Sequence, residues 1–173
     1  MISLSEIDTT SKRATKAAGF SWGIAEEVGK NTRLLEMYGL AGVKNLNEYF
    51  KNYKNKHYQK VSLISEINES QKIPYCPITL GTNFLDQASF LNKIIEIQFK
   101  NVAFPLLFLP FVSRASEIIG KRILLKIDEK EFLLNFNLSV YSNYLKSEII
   151  ENSKLIKVIY IENKNTFEEK EWK

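Results

Sequence analysis

At 173 residues and 45% hydrophobic content, the chain can bury one full core but is short for two, so a single domain is expected over 1–173. The lone Cys76 excludes an intramolecular disulfide, and no charged-then-apolar leader opens the sequence, which points to a reducing, cytoplasmic setting. The net charge of +4 comes mainly from Lys interleaved with Glu, Asn and Ile, with only four Arg (Arg13, Arg33, Arg114, Arg122), so a nucleic-acid partner is not expected.

The elements begin with a capping box. Ser3 and Glu6 predict a helix from Leu4 to Ala17 that stops at Gly19, with Leu4, Ile7, Ala14 and Ala18 as its apolar face. Ser21 caps a second helix carrying Ile24, Val28, Leu35 and Tyr38 on one side, with Glu26 and Glu27 near its positive end, until Gly39. Asn45 and Glu48 repeat the pattern and start a third helix bearing Leu46, Tyr49, Phe50 and Tyr53. Residues 1–58 therefore read as a helical lobe.

An α+β body is expected over 59–163. Val61, Leu63 and Ile64 suggest a short strand, and Pro74 to Pro77 is extended because each proline disfavours helix in the residue before it. Thr82 or Asn83 caps a helix through Leu91. Ile95 to Lys100 alternates as a half-buried strand, and Leu106 to Leu109 suits a strand covered on both faces. Pro110 opens a helix to Ile119 that stops at Gly120. The run from Val102 to Val112 is too short and too Pro-interrupted to span a membrane. Arg122 to Ile127 and Glu131 to Asn137 form a hairpin with Phe132, Leu134 and Phe136 on one face, and Leu155 to Ile161 is a further strand. Residues 138–152 are ambiguous between helix and strand. Residues 164–173 form a charged tail, with Glu168-Glu169-Lys170-Glu171 before Trp172. The fold class is α+β, three helices packed with a mainly antiparallel sheet.

Few residues offer chemistry. His57, the only histidine, sits in a polar stretch and reads as solvated; no multi-imidazole metal site is available, and neither metal nor cofactor is expected. Cys76 lies between prolines, followed by Thr79, Gly81, Thr82 and Asn83. A catalytic thiol needs a base or a cation nearby, which only His57 or Lys72 could supply, and the usual burial of free cysteine favours a core position. Glu26-Glu27 and Glu168-Glu169 point about 100° apart on a helix and read as solvated charges. Gly39-Leu40-Ala41-Gly42 lacks the Lys-Ser/Thr of a phosphate loop. The first two helices outline a helix-turn-helix, but Glu26 and Glu27 would repel phosphate.

The segments Leu4-Ser5-x-Ile7, Ala17 to Gly29, Cys76-Pro77-Ile78 and Leu107 to Phe111 resemble an uncharacterised proteobacterial family of about this length, which carries no activity over. Residues 3–50 are also similar to the N-terminal helices of the malate/L-lactate dehydrogenase family, nicotinamide-dependent reductases without a Rossmann fold. Leu4-Ser5, Ala18-Gly19, Ser21, Ala25-Glu26 and Val28 carry that similarity, and Gly39 to Val43 stands where the family approaches its Ser-His-Gly motif. Asn45, Leu46 and Asn47 occupy the motif, so Leu46 replaces the catalytic histidine and cannot transfer a proton. The resemblance thus implies a shared lobe for subunit contact rather than hydride transfer.

Two functions fit. The first is a non-catalytic accessory or interaction protein of bacterial small-molecule metabolism, forming a homo-oligomer or binding a metabolic enzyme through aromatics such as Trp22, Tyr38, Tyr49, Phe50 and Tyr53. The second is a small enzyme or metabolite-binding domain with a pocket at Cys76, Thr79, Thr82 and Asn83, and Arg114 or Arg122 holding an anion.

Overall fold

Each of the first two helices starts where a serine hydroxyl meets an unpaired amide. In the computed structural model, which describes residues 2–53, 57–70, 72–144 and 146–161, Ser3 Oγ accepts from the Glu6 amide at 3.1 Å ahead of α1 (Leu4–Ala17). Ser21 Oγ accepts from Ile24 at 3.3 Å ahead of α2 (Trp22–Met37). Gly19 and Gly39 follow these helices with positive φ. The buried stripe of α1 differs from expectation: Ala14 is exposed, while Ser11 and Thr15 are buried. Thr15 tolerates this by donating its hydroxyl to the Ser11 carbonyl at 2.7 Å, and α2 meets α1 closely enough that a Cβ on Gly29 would strike Asp8.

The third helix, α3 (Gly42–Tyr53), begins at Gly42 rather than at Asn45. Glu36 Oε1 accepts from the Val43 amide at 2.9 Å, so the cap comes from α2. Asn45 is instead fully buried within the helix, where it binds residues far along the chain. Its Nδ2 donates to the carbonyls of Ala41 (2.6 Å) and Glu148 (3.1 Å), and its Oδ1 accepts from the Ile150 amide at 3.1 Å.

Several expectations for the body are corrected. Val61 to Ile64 forms no strand; the first strand is β1 (Ile67–Glu69). The helix expected to start at Thr82 or Asn83 starts at Pro77 as α4 (Pro77–Asp86), because proline in a first turn loses no intrahelical bond; α5 (Ala88–Leu91) follows. β2 (Glu96–Ala103) alternates as read, with Ile97 and Phe99 buried. Leu106 to Leu109 is not a strand: Pro105–Leu107 is a 3-10 turn, and α6 (Leu109–Ile119) starts at once, ending at Gly120 with φ 70°. A short run buried on all sides has no period to separate strand from helix.

The hairpin is present as β3 (Arg122–Ile127) and β4 (Lys130–Leu134), but β4 stops before Phe136, which is exposed. Within the ambiguous stretch lies β5 (Val140–Ser142), and β6 (Asn152–Ile161) completes the sheet. The charged tail, including Glu168, Glu169, Lys170, Glu171 and Trp172, lies outside the described residues.

The six strands run in the order β1-β2-β6-β3-β4-β5, with β1 parallel to β2 and every other pair antiparallel. The class is α+β with a mixed sheet. One face buries Ile97, Phe99, Ile123, Leu125, Phe132, Ile156 and Val158 under α4 and α6. α4 crosses α6 so closely that a Cβ on Gly81 would enter the Phe111 ring. The lobe helices pack outside α6 and the 3-10 turn, and their apolar residues join the same core cluster. On the opposite face none of Glu96, Gln98, Lys157, Ile159, Leu124, Lys126, Glu131, Leu133 and Tyr141 is buried. Strand register sets Ile159, Leu124, Leu133 and Tyr141 in one row across that face.

The aromatics read as interface candidates are mostly core. Tyr49 is fully buried, and Tyr38, Phe50 and Tyr53 are half-buried against the central cluster. Trp22 alone among them is exposed, at 56%, with the Lys16 ammonium 5.4 Å from its ring centre. Leu46, at the dehydrogenase histidine position, is buried core. No described helix is long and apolar enough to cross a membrane.

Candidate functional site

Cys76 ends an extended segment and immediately precedes α4, so its backbone is shared by a small ladder and a helix start. The Cys76 amide donates to the Gln59 carbonyl (3.2 Å), Gln59 to Pro74 (2.8 Å), Tyr75 to Asn101 (2.8 Å) and Ala103 to Tyr75 (3.1 Å). These bonds align Gln59, Tyr75 and Val102 side by side beyond the end of β1. The segment bearing His57, Tyr58 and Lys60 is thereby held against Cys76. Side chains of the following helices fasten it further: Asn83 Nδ2 donates to the Val61 carbonyl, and Gln87 Nε2 to the Ser62 carbonyl at 2.8 Å.

The result is a cleft of about 280 Å³, lined among the described residues by Tyr53, His57, Tyr58, Lys60, Cys76 and Thr79. Cys76 forms its floor and is only 3% exposed. Beneath it Tyr49 places its hydroxyl 2.9 Å from Sγ. Tyr49 and Tyr53 are four apart on α3 and so share a face. The Tyr58 ring stacks on both, with centroids 5.5 and 6.2 Å away, and Phe104 meets Tyr49 edge-on at 6.0 Å.

Electrostatics limit what this group can do. Burial raises the Tyr49 phenol well above its usual range, and the neighbouring Cys76 adds to the effect. Tyr58 is pushed up to about 12, first by burial and then by Cys76 and Tyr53. Both phenols therefore stay protonated at neutral pH and act as hydrogen-bond partners rather than bases. His57 is exposed at the rim, and no hydrogen bond joins it to Cys76 among the described residues.

The expected site residues divide. Cys76 and Thr79 do share the cleft, and His57 joins them. Thr82 instead turns its hydroxyl back to the Ile78 carbonyl at 2.9 Å, and Asn83 is occupied in holding Val61. Arg114 on α6 is ion-paired with Glu27 of α2, so Glu27 is no solvated charge and Arg114 carries no spare positive charge for a ligand. Arg122 begins β3 opposite Ile161, at the sheet end remote from Ala103 and Cys76. The sequence does not single out Lys60 or Tyr58, and it offers Tyr49 and Tyr53 only as interface aromatics. The i, i+4 spacing of Tyr49 and Tyr53 was visible in the sequence, but their convergence with Tyr58 depends on the ladder.

A second cleft lies on the other side of Tyr58. It measures about 320 Å³ and is lined by Asn52, Tyr58, Lys72, Asn101, Glu151 and Asn152 over Pro74, Ala103 and Phe104. Asn101 and Phe104 both adopt the left-handed region, at φ 68° and 43°. No group of His, Cys, Asp and Glu among the described residues is arranged to hold a metal ion.

Residues 2–75 match a family described as "protein of unknown function (DUF3726)". The matched stretch takes in the lobe, β1 and the cleft residues Tyr53, His57, Tyr58 and Lys60, and ends just before Cys76. No curated protein and no solved structure matches the chain.

Proposed function

We propose that this chain is a non-catalytic accessory protein of bacterial small-molecule metabolism that binds a small planar anion in the cleft above Cys76. The supporting observation is the convergence of Lys60, His57 and Thr79 on a cleft also lined by Tyr53 and Tyr58. The Lys60 ammonium favours an anion, and aromatic walls favour a flat one. The role expected of Arg114 passes to Lys60, because Glu27 already neutralises Arg114. The Tyr49 phenol holds its proton and cannot activate the thiol, which favours binding over covalent chemistry. A single buried thiol is in keeping with a cytoplasmic protein.

Titration with benzoate and with inorganic phosphate, followed by amide chemical shifts, tests this reading. Benzoate should perturb Tyr58, Lys60 and Thr79, and Lys60→Ala should weaken it by about tenfold, ~1.4 kcal/mol. Cys76→Ser should leave binding within about twofold. Absence of any response to either anion sinks the anion cleft, and loss of binding in Cys76→Ser favours the thiol-dependent enzyme instead.

A second reading, homo-oligomerisation, is favoured by the row of Ile159, Leu124, Leu133 and Tyr141 on the sheet face that no described element covers. Lys126 and Glu131 already pair within the chain at 3.5 Å, so a two-fold copy would set Lys157 against Glu96. Sedimentation should then give a dimer that Tyr141→Lys converts to monomer.

A further inference from the structure

The second cleft differs from the first in chemistry. Lys72 and Glu151 both line it, and neither forms an ion pair among the described residues. Between them lie amides with unused capacity. Asn152 Nδ2 donates to Asn101 Oδ1 at 3.2 Å, which leaves the Asn101 amide hydrogens and Asn152 Oδ1 available. Asn52 spends its Nδ2 on the Glu48 carbonyl at 2.8 Å and keeps its oxygen. The Tyr58 hydroxyl is shielded from solvent and has no hydrogen-bond partner among the described residues. Its raised pKa leaves it a donor.

The backbone beneath is held in an uncommon shape. Phe104 at φ 43° is a bulky residue where β-carbon crowding is unfavourable, and its amide donates to the Glu151 carbonyl at 3.0 Å. That bond fixes Glu151 relative to the floor formed by Ala103 and Phe104, so one wall and the floor are rigidly related. Strain of this kind concentrates where a geometry serves binding.

We propose that this cleft binds a small zwitterion of the α-amino-acid class. The ligand carboxylate meets Lys72 and the Asn101 amide, its ammonium meets Glu151 and the free amide oxygens, and the Tyr58 hydroxyl closes one side. Opposite charges on separate parts of one cleft match a molecule that carries both, whereas a plain anion would be repelled by Glu151. This site is independent of the cleft above Cys76, with which it shares only the Tyr58 ring.

The full chain titrated with L-alanine, and separately with N-acetyl-L-alanine and L-alaninamide, tests the assignment. L-Alanine should shift the amides of Asn101, Asn152 and Phe104. Each blocked analogue, and each of Glu151→Gln and Lys72→Met, should weaken that response at least about tenfold. Both substitutions are at exposed positions, and unchanged thermal unfolding verifies that the variants fold. No shift with L-alanine up to about 10 mM, or equal response to the blocked analogues, overturns the proposal. Lys60→Ala should leave the L-alanine titration unchanged while weakening the benzoate one about tenfold, so failure of either cleft is seen separately.

Discussion

Burial keeps the proton on Tyr49 and Tyr58, and this ties the stability of the fold to alkaline pH. Both phenols have folded pKa values above their ordinary 10.0, so they favour the folded state fully below pH 10 and lose that contribution as pH rises through the folded values. For Tyr58 the loss falls between pH 10 and about 12. Stability measured by denaturant titration should fall across that window, and Tyr58→Phe should flatten the fall. A different buried group works against the fold. Asn31 is 4% exposed, and neither its Nδ2 nor its Oδ1 has a hydrogen-bond partner among the described residues, while its surroundings are Val28, Leu35, Leu46, Ile78, Leu107 and Phe111. Asn31→Leu should therefore stabilise by about 1 kcal/mol, read as a higher denaturation midpoint. A lower midpoint would mean that the carboxamide has a partner.

Elements with their own start and stop signals were legible, and those defined by packing were not. Ser3, Ser21, Gly19 and Gly39 act on amides and carbonyls within a turn, so α1 and α2 could be placed from local letters. α3 was misplaced because its cap is Glu36 of another helix, and Asn45, which looks like a cap, is a tether for residues 148–150. Asn45→Ala should cost about 1–3 kcal/mol by leaving the Ile150 amide and Glu148 carbonyl unpaired. Hydrogen exchange at Ile150 should accelerate more than exchange within α3. The crossing of α4 and α6 was equally invisible, since Gly81 reads as a weak helix residue until Phe111 is seen against it. Gly81→Ala gains helix propensity of roughly 1 kcal/mol but forces Phe111 aside, and the net should be destabilising by about 1–3 kcal/mol in thermal melts.

At the scale of the whole chain, the apolar residues of the lobe and the sheet belong to a single cluster, from Val28 and Leu46 to Ile156 and Val158. The lobe and body should unfold together: amide signals of Val28 and Val158 should vanish at the same denaturant concentration. Separate midpoints would divide the chain into two units. The candidate site was half legible for the same reason. Cys76 and His57 are singular letters and drew attention alone, but the cleft also needs Tyr49, Tyr53, Tyr58 and Lys60, which meet through pairings between distant segments. No periodicity encodes such a meeting. The strand order carries one more consequence. β6 is the last described strand in the chain, yet it lies between β2 and β3, which have no pairing with each other. During translation the helices and the β3–β4 hairpin emerge first, while β2 and β3 wait with bare edges for a strand not yet made. Until β6 is released from the ribosome, neither Asn152 nor the bond that ties Glu151 to the Phe104 amide is in place, and those waiting edges are what a chaperone would meet.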